Sequence, residues 1–164
     1  MKKFLLSIAL MAVSAAAFAQ VNITKVDKVK PTDEIFMEMA VTAAQKAVAD
    51  GLKPAGAVVI LNGAWRSTGL PSEGTTPEEN AIAKSRRNKL NGASIYTVNQ
   101  PTTAALNAIM ESGADAVYFV NSSDAVIVAG IYTDADYDPA GINSELTPVE
   151  VIQLDYAPAK ALLK

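Results

Sequence analysis

The 164-residue chain carries 14 basic and 17 acidic side chains, and it contains neither cysteine nor histidine. Half of its residues are apolar and 19% are charged, which suits one domain with a buried core and excludes a disordered chain. A net charge of −3 leaves no basic footprint for nucleic acid or an anionic membrane; the two missing residue types exclude disulfides, thiolate nucleophiles, histidine bases and zinc sites of the nitrogen and sulfur kind.

In chain order, Lys2 and Lys3 precede an uncharged stretch from Phe4 to Val13, and Ala17-Phe18-Ala19 leads to Gln20. A short basic region, an apolar run of about ten residues and a small-residue end form the pattern of a secretory signal peptide. A membrane anchor needs about 20 apolar residues, and Gln20 and Asn22 interrupt sooner. Residues 1–19 are therefore expected to be a cleaved signal peptide and 20–164 a single domain, periplasmic or secreted and without a membrane anchor. Cleavage removes two lysines and leaves the domain more acidic.

Residues 21–31 alternate weakly and read as an arm or edge strand. Thr32 reads as an N-cap, with Asp33 and Glu34 where a helix N-terminus favours negative charge. Ile35, Phe36, Met39, Ala40, Ala43, Ala44, Ala47 and Val48 recur at helical spacing until Gly51. Ala57–Leu61 and Ala64–Thr68 are two strands joined by Asn62-Gly63, a preferred two-residue hairpin turn. Thr76-Pro77-Glu78-Glu79 combines a cap, a first-turn proline and a glutamate three residues after the cap, predicting a helix that continues through Leu90 to Gly92. A strand at 94–98, a helix from Pro101 to Glu111 and a strand at 116–120 follow. Residues 124–131 fit either a strand, through Val126-Ile127-Val128, or a short helix bracketed by Ser123 and Gly130. A last strand at 149–154 and a terminal helix at 158–163 complete the chain. Alternating strands and helices imply an α/β sheet covered on both faces and largely parallel after its opening hairpin.

Other groupings read more plainly. Asp134, Asp136, Asp138 and Glu145 imitate the spacing of a calcium loop, but Pro139 stands where such a loop turns on glycine, so a solvated acidic loop is the better reading. Trp65, the sole tryptophan, fits a core or dimer contact better than a base-stacking surface. Lys84, Arg86, Arg87 and Lys89 read as a solvated helix face rather than an RNA contact.

From about Ile35 to Ile131 the motifs fall in an order that resembles the cytidine deaminase-like superfamily, in its tRNA adenosine deaminase and guanine deaminase branch. The resemblance is carried by Pro54-Ala55-Gly56-Ala57-Val58, the Asn62-Gly63 hairpin, Thr76-Pro77-Glu78 with Ala81-Ile82, Ile95-Tyr96-Thr97, and Pro101-Thr102-Thr103-Ala104-Ala105. It implies a three-layer α/β/α sandwich with a mixed sheet, and a homodimer. It also implies a zinc ion held by one histidine and two cysteines, where a glutamate shuttles protons for a metal-activated water. Thr76, Thr102 and Ala105 stand at the three ligand positions, and Glu78 keeps the shuttle position. The family carries an asparagine shortly after the hairpin; here Leu70-Pro71 follows Gly69 and the loop is shorter.

Threonine is a poor zinc ligand and alanine offers no donor. The expectation is thus a chain that is not an enzyme and holds no metal or cofactor. Its former cleft would bind a small polar or heterocyclic ligand through Thr76, Glu78, Thr102 and Thr103, beside two helix N-termini. Glu78 also fits a plain first-turn glutamate. The alternative is a homodimeric scaffold without a small-molecule site, with an apolar patch around Trp65 or Ile35.

Overall fold

Six strands form one mixed sheet in the computed structural model, which describes residues 21–164; the expected signal peptide, residues 1–19, lies outside the described residues. In chain order the elements are β1 (Ile23–Val26), α1 (Pro31–Ala49), β2 (Ala57–Leu61), β3 (Ala64–Gly69), α2 (Pro77–Lys84), β4 (Ala93–Thr97), α3 (Thr103–Ser112), β5 (Ala116–Phe119), α4 (Ser123–Val128), β6 (Glu150–Leu154) and α5 (Ala157–Lys160). Two short 3₁₀ turns, Asp134–Tyr137 and Pro139–Gly141, lie between α4 and β6. The strand order is β1-β6-β5-β4-β2-β3. The pairs β1–β6, β6–β5 and β5–β4 are parallel, whereas β2 runs antiparallel to both β4 and β3. The expected mixed α/β sheet, parallel beyond its hairpin, is the one observed.

The hairpin turns as its residues require. Asn62 and Gly63 both have positive φ, 52° and 76°, the conformation a two-residue turn needs to match the strand twist. Ile60 pairs with Trp65 but Val59 with Ser67, so Arg66 is the extra residue of a bulge in the edge strand β3.

One face of the sheet is covered by α1 and α5. Met37, Ala40, Val41 and Ala44 pack with Val58, Ile60, Tyr96, Val98, Leu154 and Ala159. The alanine stripe lets the helix sit close: a Cβ on Gly56 would lie 2.5 Å from the Ala44 nitrogen. The opposite face carries α2 and α3, where Ala81, Leu106 and Ile109 pack with Val59, Ile95, Val117, Phe119 and Val151. Gly69 permits a closer approach still, since a Cβ there would fall 1.8 Å from the Pro77 carbonyl oxygen. These two layers around one sheet are the three-layer architecture expected.

Several local expectations shift. The first helix starts at Pro31, with Lys30 rather than Thr32 at the cap and no capping side chain, because proline needs no N–H partner and already holds helical φ. The second helix stops at Lys84 instead of running to Gly92. The Ser85 hydroxyl bonds back to the Ile82 carbonyl at 2.6 Å and Arg86 turns to a φ of 55°. The chain then carries Leu90 into the core from a loop, fixed by its N–H on the Ser112 carbonyl at 2.7 Å. Arg86, Arg87 and Lys89 therefore lie on that exposed loop and not on a helix. The ambiguous segment is helical: Ser122 caps it on the Ala125 N–H, Gly130 ends it, and Val128 is left 89% exposed because β6 takes the place beside β5. Trp65 is no core residue; it stands 54% exposed on the edge strand.

Candidate functional site

The C-terminal end of β4 meets the N-terminus of α2 at one buried carboxyl group. Thr76 caps α2 in a reciprocal box. Its hydroxyl accepts from the Glu79 N–H at 3.3 Å, and Glu79 Oε2 accepts from the Thr76 N–H at 2.8 Å and from its hydroxyl at 2.9 Å. That arrangement commits Glu79 to the helix end and leaves Glu78, one residue earlier, pointing into the protein at 3% exposure. The Thr97 hydroxyl, on the last residue of β4, donates to Glu78 Oε1 at 2.5 Å. Burial pushes the Glu78 carboxyl above its ordinary value. Bonds from Thr97, its own backbone and Thr76 pull the other way, and the neighbouring Glu79 charge adds to the rise.

Two tyrosines lie within reach of its charge. Burial raises the hydroxyls of Tyr132 and Tyr137 well above the usual phenol range, and the Glu78 charge is the next cause for both. Their rings meet edge to face with centroids 6.2 Å apart. Tyr137 donates to the Gln100 carbonyl at 2.8 Å. Asn99 and Asn121 tie together the chain just beyond β4 and β5. Asn121 Nδ2 donates to Asn99 Oδ1 and to the Ala159 carbonyl, each at 3.1 Å, and Asn99 Nδ2 donates to the Pro54 carbonyl at 3.0 Å.

Of the residues the sequence nominated, Thr76 and Glu78 meet at this point, and Thr102 caps the adjoining helix by accepting from the Ala105 N–H at 3.1 Å. The Thr103 hydroxyl donates to the Asp138 carbonyl at 2.9 Å, and Thr103 borders a cavity of about 300 Å³ with Gln100, Leu106, Tyr137 and Ile142. Sequence reasoning missed Thr97, Tyr132 and Tyr137 as site residues. Thr97 was legible as the end of a strand motif, whereas no local pattern marks the tyrosines, which lie some fifty residues from Glu78 along the chain.

The positions that the resemblance assigns to zinc do not fit the ion. The Thr76 hydroxyl is spent in its capping box, Thr102 accepts a backbone N–H, and Ala105 is buried without a donor. Among the described residues no group of three or more acidic, histidine or cysteine side chains is placed to hold a metal. The acidic loop is used in local turns instead: Asp136 accepts from the Thr133 N–H at 2.7 Å, and Asp138 from the Ala140 N–H at 3.0 Å.

No family model matches the chain, and no curated protein matches it by sequence. Solved structures do. Guanine deaminase from Bacillus subtilis is 28% identical with a TM-score of 0.58, covering 62% of this chain and 71% of its own. Guanine deaminase from Nitrosomonas europaea is 17% identical with a TM-score of 0.64, over 84% of this chain and 85% of its own. A tRNA:A34 deaminase of A-to-I editing at the wobble position is 18% identical with a TM-score of 0.63, over 79% of this chain and 99% of its own. The fold is that of the cytidine deaminase-like superfamily. The resemblance read from the motifs is thereby established for the architecture. One expectation is overturned: the chain was expected not to be an enzyme, yet its structural neighbours in this superfamily are deaminases, so the departures at Thr76, Thr102 and Ala105 do not by themselves assign the chain to a non-enzyme class.

Proposed function

We propose that this chain is an exported deaminase-fold protein whose Glu78 site binds a small, uncharged, polar heterocycle. The observation that carries the reading is Glu78 itself: a buried carboxyl group bonded to a threonine hydroxyl, with burial favouring its protonated form. A neutral carboxylic acid donates and accepts side by side, which matches the N–H and carbonyl edge of an amide-like ring. Tyr132 and Tyr137 supply flat apolar rings, and Thr76 and Thr102 cap α2 and α3. The names of the structural neighbours make guanine the first compound to try.

Thermal-shift and calorimetric titrations with guanine, adenine, cytosine and their nucleosides test the reading. At least one should raise the melting temperature, as mass action requires of any ligand that prefers the native state. Glu78→Leu, which neither donates nor accepts, should weaken that ligand by about ten-fold or more. Ammonia measured in the same samples reports turnover independently. A flat response across the panel refutes the reading. Export rests on the leader pattern, and a mass beginning at Gln20 in protein recovered outside the cytoplasm tests it.

A second reading, assembly of two copies through the hairpin edge or the outer side of α1, is favoured by Trp65 at 54% and Ile35 at 61% exposure. Light scattering over a range of concentrations, with Trp65→Ser alongside, decides it: a monomer throughout counts against assembly.

A further inference from the structure

The connection between α4 and β6, residues 129–149, holds only two 3₁₀ turns. Connections longer than about 12–15 residues are uncommon in a compact domain and usually serve a function. This one is fastened to α3 by Thr103 and Asn107, which stand one turn apart on that helix. The Thr103 hydroxyl donates to the Asp138 carbonyl, Asn107 Nδ2 donates to the Gly141 carbonyl, and Asn107 Oδ1 accepts from the Asn143 N–H, each at 2.9 Å. Gly141 suits this clasp because a Cβ there would lie 2.9 Å from the Thr103 methyl group.

The clasp leaves space between the segment and the domain. A cavity of about 430 Å³ is lined by Leu106 and Met110 from α3, by Val151 from β6, and by Ile142, Leu146 and Val149. The cavity of about 300 Å³ that Thr103 borders adjoins it, since Val21, Leu106, Pro139, Ile142 and Val151 line both. Among the described residues no charged side chain lines either cavity, although 19% of the chain is charged. The polar groups in the smaller cavity are occupied within the protein. Thr103 donates to Asp138, Tyr137 donates to the Gln100 carbonyl at 2.8 Å, and Gln100 Oε1 accepts from the Ser123 N–H at 2.9 Å.

We propose that the two adjoining cavities form a binding site for a small, uncharged, mainly hydrophobic molecule. Their volumes fall in the range of small-molecule sites, about 300–1,000 Å³. An ionic ligand would lose its water there without meeting a counter-charge, whereas an apolar one gains by leaving water for Leu106, Met110, Ile142 and Leu146. Glu78 lines neither cavity, so this site and the Glu78 site stand or fall separately.

N-Phenyl-1-naphthylamine is uncharged, dim in water and bright in apolar surroundings. Titrated into the purified protein, it should brighten and saturate as at a single class of site. Leu146→Trp, which fills the larger cavity from the segment, should weaken uptake about ten-fold or more, and Ile142→Asp, which sets a carboxylate against the probe, should do the same. Val128→Asp, on the 89% exposed position of α4, should change nothing. The anionic relative 8-anilinonaphthalene-1-sulfonate should bind about ten-fold more weakly or worse. Urea midpoints show that each variant is folded. No saturable brightening, or equal uptake by the unaltered protein, Leu146→Trp and Ile142→Asp, would overturn the proposal. So would a dimer, seen by light scattering, that dissociates as the probe binds, because the cavities would then belong to a second copy of the chain. Guanine should leave the probe in place; displacement would make the cavities part of the Glu78 site and overturn their separate assignment. Saturable probe uptake beside a flat guanine response counts against the Glu78 reading alone.

Discussion

Replacing Glu78 by glutamine should change how stability depends on pH, and the direction follows from burial. In the unfolded chain this carboxyl group releases its proton around its ordinary value of 4.5. In the folded protein desolvation raises that value, so between the two the native state holds a proton the unfolded state has lost. A state that binds more protons is weakened as pH rises. The contribution of Glu78 is therefore fully present below 4.5 and is lost as pH rises through the raised native value. One proton of difference is worth at most about 1.4 kcal/mol per pH unit. Glutamine keeps the volume of the side chain and an oxygen to accept the Thr97 hydroxyl, but it has no proton to lose. Urea unfolding of both proteins from about pH 4 to about pH 8 measures the difference, since all other titrating groups are shared. The stability of Glu78→Gln minus that of the unaltered protein should climb as pH rises above 4.5, at up to that slope, and stop climbing only above the raised native value. A difference that stays flat throughout, or climbs toward acid, would refute the claim that burial dominates this carboxyl group.

Three further outcomes follow from the packing. Gly69→Ala should destabilise by about 1–3 kcal/mol, read as a lower urea midpoint at unchanged slope; its Cβ would lie 1.8 Å from the Pro77 oxygen and 2.5 Å from the Ala81 nitrogen, so β3 and α2 must part. Thr102→Ala removes the cap on the Ala105 N–H and should cost about 1 kcal/mol in the same measurement, with Thr102→Ser recovering most of it. Asn121→Ala strips the donor from Asn99 Oδ1 and from the Ala159 carbonyl, both inside the protein, and should cost about 1–3 kcal/mol, with faster amide exchange in α5 as its local sign.

Much of the architecture was legible along the chain because each piece is decided within a few residues. Asn62-Gly63 turns a hairpin wherever it stands between apolar strands, since both residues tolerate positive φ. Thr76-Pro77-Glu78-Glu79 starts a helix because the cap and the third-position glutamate satisfy each other's backbone donors. The absence of histidine and cysteine was equally a property of the chain alone, and no fold can restore those donors. The motif order then pointed to the deaminase fold that the structural neighbours share.

Tertiary structure decided what depends on long-range closure. The second helix stops at Lys84 because Leu90 must enter the core from a loop that bonds to the end of α3, a contact no helical pattern announces. Residues 123–128 became a helix while β6, from the far end of the chain, occupies the sheet position beside β5. The Thr103 hydroxyl found its partner in the Asp138 carbonyl, thirty-five residues away. Above all, Glu78 was one first-turn glutamate among two until the fold put Thr97 against it and brought Tyr132 and Tyr137 within reach of its charge. Capping and turn chemistry act over a few bonds of backbone, whereas the environment of a buried carboxyl group is made by whatever distant segments the core draws over it.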